Sequence, residues 1–175
     1  MKYKILIVDD EPANLRVLER LFRDEHEVLT ATSGAEALAA LENHDVALLI
    51  SDQRMPEMSG IELVGRTVSL RPHMVRILLT GYTDVSSLIE AINCGHVYKY
   101  VTKPWNNEDL VITVSRALAH YEATKSLHNL EMVNHRLRAR MNEIAELATT
   151  DDELLPESRL NAVVRERQLD VISPN

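Results

Sequence analysis

Cysteine is nearly missing from this chain: Cys94 stands alone, so no intrachain disulfide can form and a reducing compartment is the setting it suits. Aromatic residues are scarce, at 4% with one Phe and one Trp. The bulk of any core must therefore come from Leu, Val, Ile and Ala, a composition suited to helices packed on a buried sheet. Long apolar runs are missing as well. The opening Met-Lys-Tyr-Lys-Ile-Leu-Ile-Val meets Asp9-Asp10-Glu11 at once, leaving too short a stretch for a signal peptide or a membrane span. Positive charge is in deficit, with a formal net charge of −8. The one dense basic run, Arg136-Leu-Arg-Ala-Arg140, lies within an otherwise mixed helical pattern, which argues against nucleic acid as a partner. The seven histidines are scattered without metal spacing. What remains is a soluble, cytoplasmic protein, and its 175 residues suffice for one core plus an appendage.

Five short apolar runs recur between helical patterns: Tyr3–Val8, Glu27–Ala31, Val46–Ser51, Met74–Leu79 and Val97–Thr102. The segments between them are amphipathic, roughly Ala13–Phe22, Ala35–Glu42, Ile61–Leu70 and Val85–Asn93, with Pro12, Gly34, Gly60 and Gly95 where turns or caps belong. This alternation predicts a parallel sheet. Because crossovers are right-handed and helices must cover both faces, the expected fold class is α/β, a doubly wound three-layer sandwich.

After Pro104 one helical period runs from about Glu108 to Ala148 without Gly or Pro, too long for a covering helix. Its later part spaces Ala123, Leu127, Leu130, Asn134, Leu137, Met141, Ile144 and Ala148 by alternating steps of four and three, the seam of a coiled coil. A helix folding back on its own domain is the simpler alternative. Asn134 favours the coiled coil, since a lone Asn in a seam fixes register and a parallel two-stranded state. A homodimer through this helix is expected. The chain is thus divided into a domain at 1–120, a coiled-coil helix at 121–148 continuous with the last helix of that domain, and a short helical or partly disordered tail at 149–175.

In a doubly wound sheet, reactive groups gather beyond the carboxyl ends of the strands. Here the first strand ends at Asp9-Asp10, the third at Asp52, the fourth at Thr80 and the fifth at Lys103. Three carboxylates brought together need a cation among them, and hard oxygen ligands suit Mg²⁺. Mg²⁺ commonly pairs with phosphate oxygens, and the Lys and Thr offer a cation and a hydroxyl to the same ligand. Asp52, at the end of the central strand, is the best-placed nucleophile toward phosphorus. The bland alternative reads these residues as caps and solvated loop positions; their joint placement weighs against it.

The motifs Ile-Val-Asp9-Asp10-Glu11-Pro, Ser-Asp52-Gln-Arg-Met55-Pro56-Glu-Met-Ser-Gly60, Leu-Leu-Thr80-Gly81-Tyr and Tyr100-Val-Thr-Lys103-Pro104-Trp105 stand in an order and at spacings that resemble the receiver domain of bacterial two-component response regulators, over residues 1–120. The resemblance implies a flavodoxin-like sheet of strand order 2-1-3-4-5. It also implies that a sensor histidine kinase or a phosphotransfer protein donates a phosphoryl group to Asp52, with small donors such as acetyl phosphate as substitutes. By the same resemblance Asp10, Asp52 and the backbone carbonyl of Arg54 bind Mg²⁺, Asp9 acts through water, Thr80 and Lys103 hold phosphoryl oxygens, and Thr80 and Tyr100 form the switch. Lys103–Pro104 is expected to be cis, which costs X–Pro only about 0.5–1 kcal/mol. Trp105 is expected to pack over that turn. Gln53, Arg54 and Tyr82 are expected to line the approach and tune the lifetime of the phosphoryl group, and the helix near Val85–Asn93 to belong to the surface that changes.

No complete effector follows residue 120. The first expectation is therefore a phosphoacceptor switch rather than an enzyme, signalling through its coiled coil to a separate protein effector. An alternative of another class is the regulatory fragment or eroded remnant of a receiver-linked enzyme, since Ala148–Arg159 faintly resembles the entry to a diguanylate cyclase domain. A transcription factor lacking its DNA-binding part ranks last.

Overall fold

The computed structural model describes residues 2–81 and 96–152, with side chains as far as residue 145. The expected helix at Val85–Asn93, Tyr82, Cys94, Gly95 and the tail beyond residue 152 lie outside the described residues. Five strands form one parallel sheet: β1 (Lys4–Val8), β2 (Glu27–Ala31), β3 (Leu48–Asp52), β4 (Val75–Thr80) and β5 (Lys99–Thr102), in the order β2-β1-β3-β4-β5. The described helices are α1 (Pro12–Phe22), α2 (Gly34–Asn43), α3 (Gly60–Leu70) and α4 (Asn107–Asp152). The expected doubly wound α/β fold and its strand order are found.

Alternation along the strands sends side chains to two separate cores. Ile5 and Ile7 of β1, Leu48 and Ile50 of β3, and Ile77 and Leu79 of β4 pack with Leu15, Leu18 and Phe22 of α1 and with the root of α4. Their neighbours Leu6, Val8, Leu49 and Leu78 face Ala37 and Leu41 of α2 and Leu63 and Val64 of α3. Each large apolar side chain fully withdrawn from water contributes about 1.5–3 kcal/mol. Burial of both faces explains why the strands are continuous apolar runs rather than alternating ones.

Local chemistry starts each helix. Pro12 supplies the first residue of α1. Ser33 Oγ accepts from the Glu36 N–H of α2 at 3.2 Å. Ser59 and Glu62 form a full capping box on α3, in which the Ser59 N–H donates to Glu62 Oε2 at 2.8 Å. The Thr32 N–H and hydroxyl, which donate to Glu36 Oε2 at 2.7 and 2.8 Å, hold the Glu36 carboxyl below its ordinary range, and the Ser59 hydroxyl and N–H do the same for Glu62.

One buried side chain breaks the apolar pattern of β4. Arg76 is only 5% exposed, and burial pushes its pKa down to about 10. Its guanidinium donates to Thr67 Oγ1, to the carbonyls of Thr67 and Arg71 at the end of α3, and to the Met74 carbonyl, at 2.6–3.0 Å.

Helix α4 changes character along its length. Leu110, Val114, Ala117, Leu118 and Tyr121 are buried against the sheet at helical spacing. Nearby, Tyr3 Oη donates to Glu122 Oε2 at 2.8 Å, and Lys125 Nζ donates to Tyr121 Oη at 2.8 Å and to Asp45 Oδ2 at 3.3 Å. Leu127, Leu130, Leu137, Met141 and Ile144 are then 54–68% exposed. The chain separates into two compact units, Met1–Leu127 and His128–Asn175.

Candidate functional site

Parallel strands deliver Asp9, Asp52, Thr80 and Lys103 to the same edge of the sheet. Asp9 follows the last residue of β1, Asp52 and Thr80 end β3 and β4, and Lys103 follows β5. Register keeps them together: Asp52 pairs with Leu79, Thr80 pairs with Thr102, and the Lys103 N–H donates to the Thr80 carbonyl at 2.8 Å. The Lys103–Pro104 bond is cis. Trp105 packs against the core that holds α1 and α4, and its Nε1–H donates to Asn107 Oδ1.

The centre of the site is one ammonium between two carboxylates. Lys103 Nζ lies 2.9 Å from Asp9 Oδ2 and 2.5 Å from Asp52 Oδ1. Asp9 is completely buried; its Oδ1 accepts from the Glu11 N–H at 2.9 Å, and the Asn14 amide donates to both of its oxygens at 3.1–3.2 Å. Asp52 is 5% exposed, and its Oδ2 accepts from the Arg54 N–H at 2.7 Å. Asp10 is exposed. Burial works against the charged form of Lys103, yet the hydrogen bonds and charges of Asp52 and Asp9 outweigh it and raise the pKa. The ammonium thus stays charged across the physiological range.

Asp52 is also fixed from behind. A Cβ added at Gly60 would collide with the Asp52 carbonyl oxygen and lie 2.8 Å from Leu78 Cδ2. Gly60 N–H donates to the Gln53 carbonyl at 3.0 Å, and Gln53 Oε1 accepts from the Ile61 N–H at 3.1 Å. Gln53 is therefore not a residue of the open approach: at 8% exposure its amide needs a buried partner, and the start of α3 supplies one. Thr80 is 4% exposed, and its Oγ1 donates to the Gly81 carbonyl at 3.3 Å. Tyr100, paired with Leu78, is half-buried against the core of α2 and α3. Arg54 is exposed at the mouth.

Three of the expected residues, Asp9, Asp52 and Lys103, are in direct contact, while Thr80 joins them through the backbone. Asn14 is a supporting position that sequence reasoning missed, and Gly60, read there only as a turn or cap, also supports Asp52. Asn14 carried no signal, because its contact spans a turn and a helix start. Gly60 had one: it follows Ser59 in the capping-box pattern Ser-x-x-Glu, which marks it as the first helical residue beside a strand end.

Chemically the arrangement is a cluster of hard oxygens with excess negative charge, beside a fixed cation. A model of the response regulator receiver domain matches residues 5–115. The chain belongs to that family. As a receiver it is 35% identical over 128 residues to the hydrogenase transcriptional regulatory protein HoxA of Cupriavidus necator, a match covering 73% of this chain and 27% of HoxA. The chain therefore spans about a quarter of that relative. Among solved structures, a response regulator receiver domain protein from Clostridium thermocellum is similar with a TM-score of 0.66 and 32% identity, covering 70% of this chain and 98% of that one. An adenylate cyclase chain from Rhodopirellula baltica is similar with a TM-score of 0.71 and 32% identity, covering 74% of this chain and 97% of that one. Among the described residues no helix is long and apolar enough to cross a membrane.

Proposed function

We propose that this receiver accepts a phosphoryl group on Asp52 from a sensor histidine kinase or a phosphotransfer protein. The observation that carries the reading is the contact of Lys103 with both Asp9 and Asp52. Asp52 Oδ attacks phosphorus, the bond from phosphorus to the donor atom breaks, and the donor leaves with the electron pair. Lys103 neutralises charge on the phosphoryl oxygens, Thr80 donates its hydroxyl to them, and Tyr100 follows Thr80 as the switch.

The residues fit Mg²⁺. Asp9, Asp10 and Asp52 against Lys103 leave two negative charges to balance. Among the described residues no group of three or more His, Cys, Asp or Glu side chains is placed to hold a metal by itself; Mg²⁺ is commonly held by one or two carboxylates and keeps several waters. Asp10, Asp52 and the Arg54 carbonyl would hold it, with Asp9 acting through water. When bound it supplies charge neutralisation to the phosphoryl oxygens.

The output we assign to α4, dividing the chain into a receiver at 1–120, a coiled-coil helix at 121–148 and a tail at 149–175. Support comes from the apolar seam of Leu127, Leu130, Leu137, Met141 and Ile144, which a single chain leaves in water. Burying each such residue is worth about 1.5–3 kcal/mol, and a second copy with Asn134 facing Asn134 covers them in register. Phosphorylation then biases the arrangement of this homodimer, and a downstream protein reads it. A second reading, the regulatory part of a larger enzyme or transcriptional regulator, is favoured by the 27% coverage of HoxA and by the similarity to an adenylate cyclase chain.

Acetyl phosphate with Mg²⁺ tests the site by intact mass. One phosphoryl group per chain is expected, mapped to Asp52 and absent from Asp52→Asn. Stoichiometric labelling of that variant would refute the assignment.

A further inference from the structure

Asp9 has no exposed surface, so protein groups rather than bulk water must satisfy its carboxylate. Lys103 Nζ lies 2.9 Å from Oδ2, the Glu11 N–H donates to Oδ1 at 2.9 Å, and the Asn14 amide donates to both oxygens, at 3.2 Å to Oδ1 and 3.1 Å to Oδ2. The Glu11 bond is made by the backbone and survives a change of that side chain. The Asn14 bonds depend on what the residue is. It stands in the first turn of α1, after Pro12 and Ala13, where Leu or Ala would form helix more readily than Asn does. The helix therefore does not account for an amide at this position; the carboxylate beside it does.

Phosphoryl transfer sets two acceptors in competition for one cation. Lys103 Nζ is shared between Asp9 Oδ2 and Asp52 Oδ1, at 2.9 and 2.5 Å. With Asp52 as the phosphoacceptor, the reading on which this inference rests, an Asp52 Oδ bonds to phosphorus, the bond from phosphorus to the leaving group breaks, and the leaving group takes the electron pair. Lys103 gives up no proton and turns its N–H groups to the new phosphoryl oxygens. A buried carboxylate with no other donor would hold that ammonium back, because losing a buried partner is costly. Donors other than the lysine lower this cost. An amide supplies them without adding a second cation that would itself draw the phosphoryl oxygens away.

We propose that Asn14 is a positioning residue for phosphoryl transfer: acting through Asp9, it keeps that buried carboxylate oriented and hydrogen-bonded and so releases Lys103 to the phosphoryl group.

The test compares the full chain with Asn14→Leu and Asn14→Ala. Leu keeps the branched outline of Asn and removes its donors; Ala removes the donors and opens a space that water can enter. Three quantities are read: the rate of labelling by acetyl phosphate with Mg²⁺, by intact mass; the affinity for beryllofluoride with Mg²⁺, by the fluorescence of Trp105, the single tryptophan; and the urea midpoint without Mg²⁺. In Asn14→Leu the rate and the affinity should each fall about tenfold, the loss of one hydrogen bond to a charged group. Asn14→Ala should lie between Leu and the parent. A side chain that only fills space would give the reverse order, with Ala the worse, and would move the urea midpoint without moving the beryllofluoride affinity of the folded chain. Parent-like rate and affinity in Asn14→Leu, or the reverse order, would overturn the proposal; should Asn14→Leu fail to fold, a parent-like Asn14→Ala would do so. A parent chain that takes neither label nor beryllofluoride would sink the phosphoacceptor reading together with this inference, whereas a responsive parent matched by Asn14→Leu would sink the inference alone.

Discussion

Lys103 sits where removing a single charge has opposite consequences depending on which partner is lost. Asp9 is completely buried, and Lys103 is its cationic partner. Lys103→Met should therefore leave two adjacent carboxylates facing each other and destabilise the receiver by a few kcal/mol. Asp52→Asn removes one of the repelling carboxylates while Lys103 keeps Asp9, so its stability in the absence of Mg²⁺ should equal or exceed that of the parent. Urea unfolding of the two variants checks the contrast, and equal losses would contradict it. Because the Lys103 pKa is raised, its contribution is complete below the unfolded value of about 10.4 and is lost only as pH rises through the folded one. His26 behaves in the opposite sense. It lies beside Tyr3, its Nδ1 has no hydrogen-bond partner among the described residues, and burial lowers its pKa. The folded state resists protonation there, so this contribution is full above the ordinary His value of about 6.5 and is lost as pH falls below it through the lower folded value. His26→Phe should flatten the urea midpoint over that range; an unchanged slope would exclude His26 as the source.

At the scale of elements, the start of α3 holds the carbonyl side of Asp52. Gly60→Ala should cost about 1–3 kcal/mol through overpacking against the Asp52 carbonyl and Leu78. It should also reduce labelling by acetyl phosphate, whereas Ser59→Ala, which removes only a cap, should cost about 1 kcal/mol and spare labelling. Equal labelling of the two variants would show that Gly60 does not position Asp52. Much of this architecture was legible in the sequence. Short continuous apolar runs such as Ile5 to Val8 made the strands plain, and the strand-end rule brought Asp9, Asp52, Thr80 and Lys103 together. Asn14 was not legible, because its reach to Asp9 depends on the turn at Glu11 and Pro12. Gln53 was read as a solvent-side residue because its bond to Ile61 arises only once α3 folds back over β3. Arg76 stood in an otherwise apolar run, a visible signal whose meaning depends on the end of α3 lying beside β4.

For the whole molecule, the decisive feature is an apolar seam that continues where the receiver core ends. Among the described residues, buried positions on α4 stop at Tyr121, and Leu127, Leu130, Leu137, Met141 and Ile144 beyond it are more than half exposed. In the proposed dimer, Asn134→Leu should raise the thermal midpoint of the assembly while admitting states beyond two strands, since the polar pair that would select a parallel dimer there is gone. A variant that keeps both the parent mass and the parent midpoint would remove Asn134 from the seam. The relatives set the wider frame: a receiver of this kind occupies about a quarter of HoxA and is similar to nearly the whole of a chain from an adenylate cyclase, so the receiver is shared while outputs differ. What distinguishes the proposed output here is that chemistry at Asp52 reaches a second copy of the chain through α4. Sedimentation of the full chain with Mg²⁺, with and without beryllofluoride as a stand-in for the phosphoryl group, measures this most directly. A two-chain mass is expected in the presence of beryllofluoride, dispersed to single chains by Leu137→Glu; a single-chain mass under both conditions would contradict it.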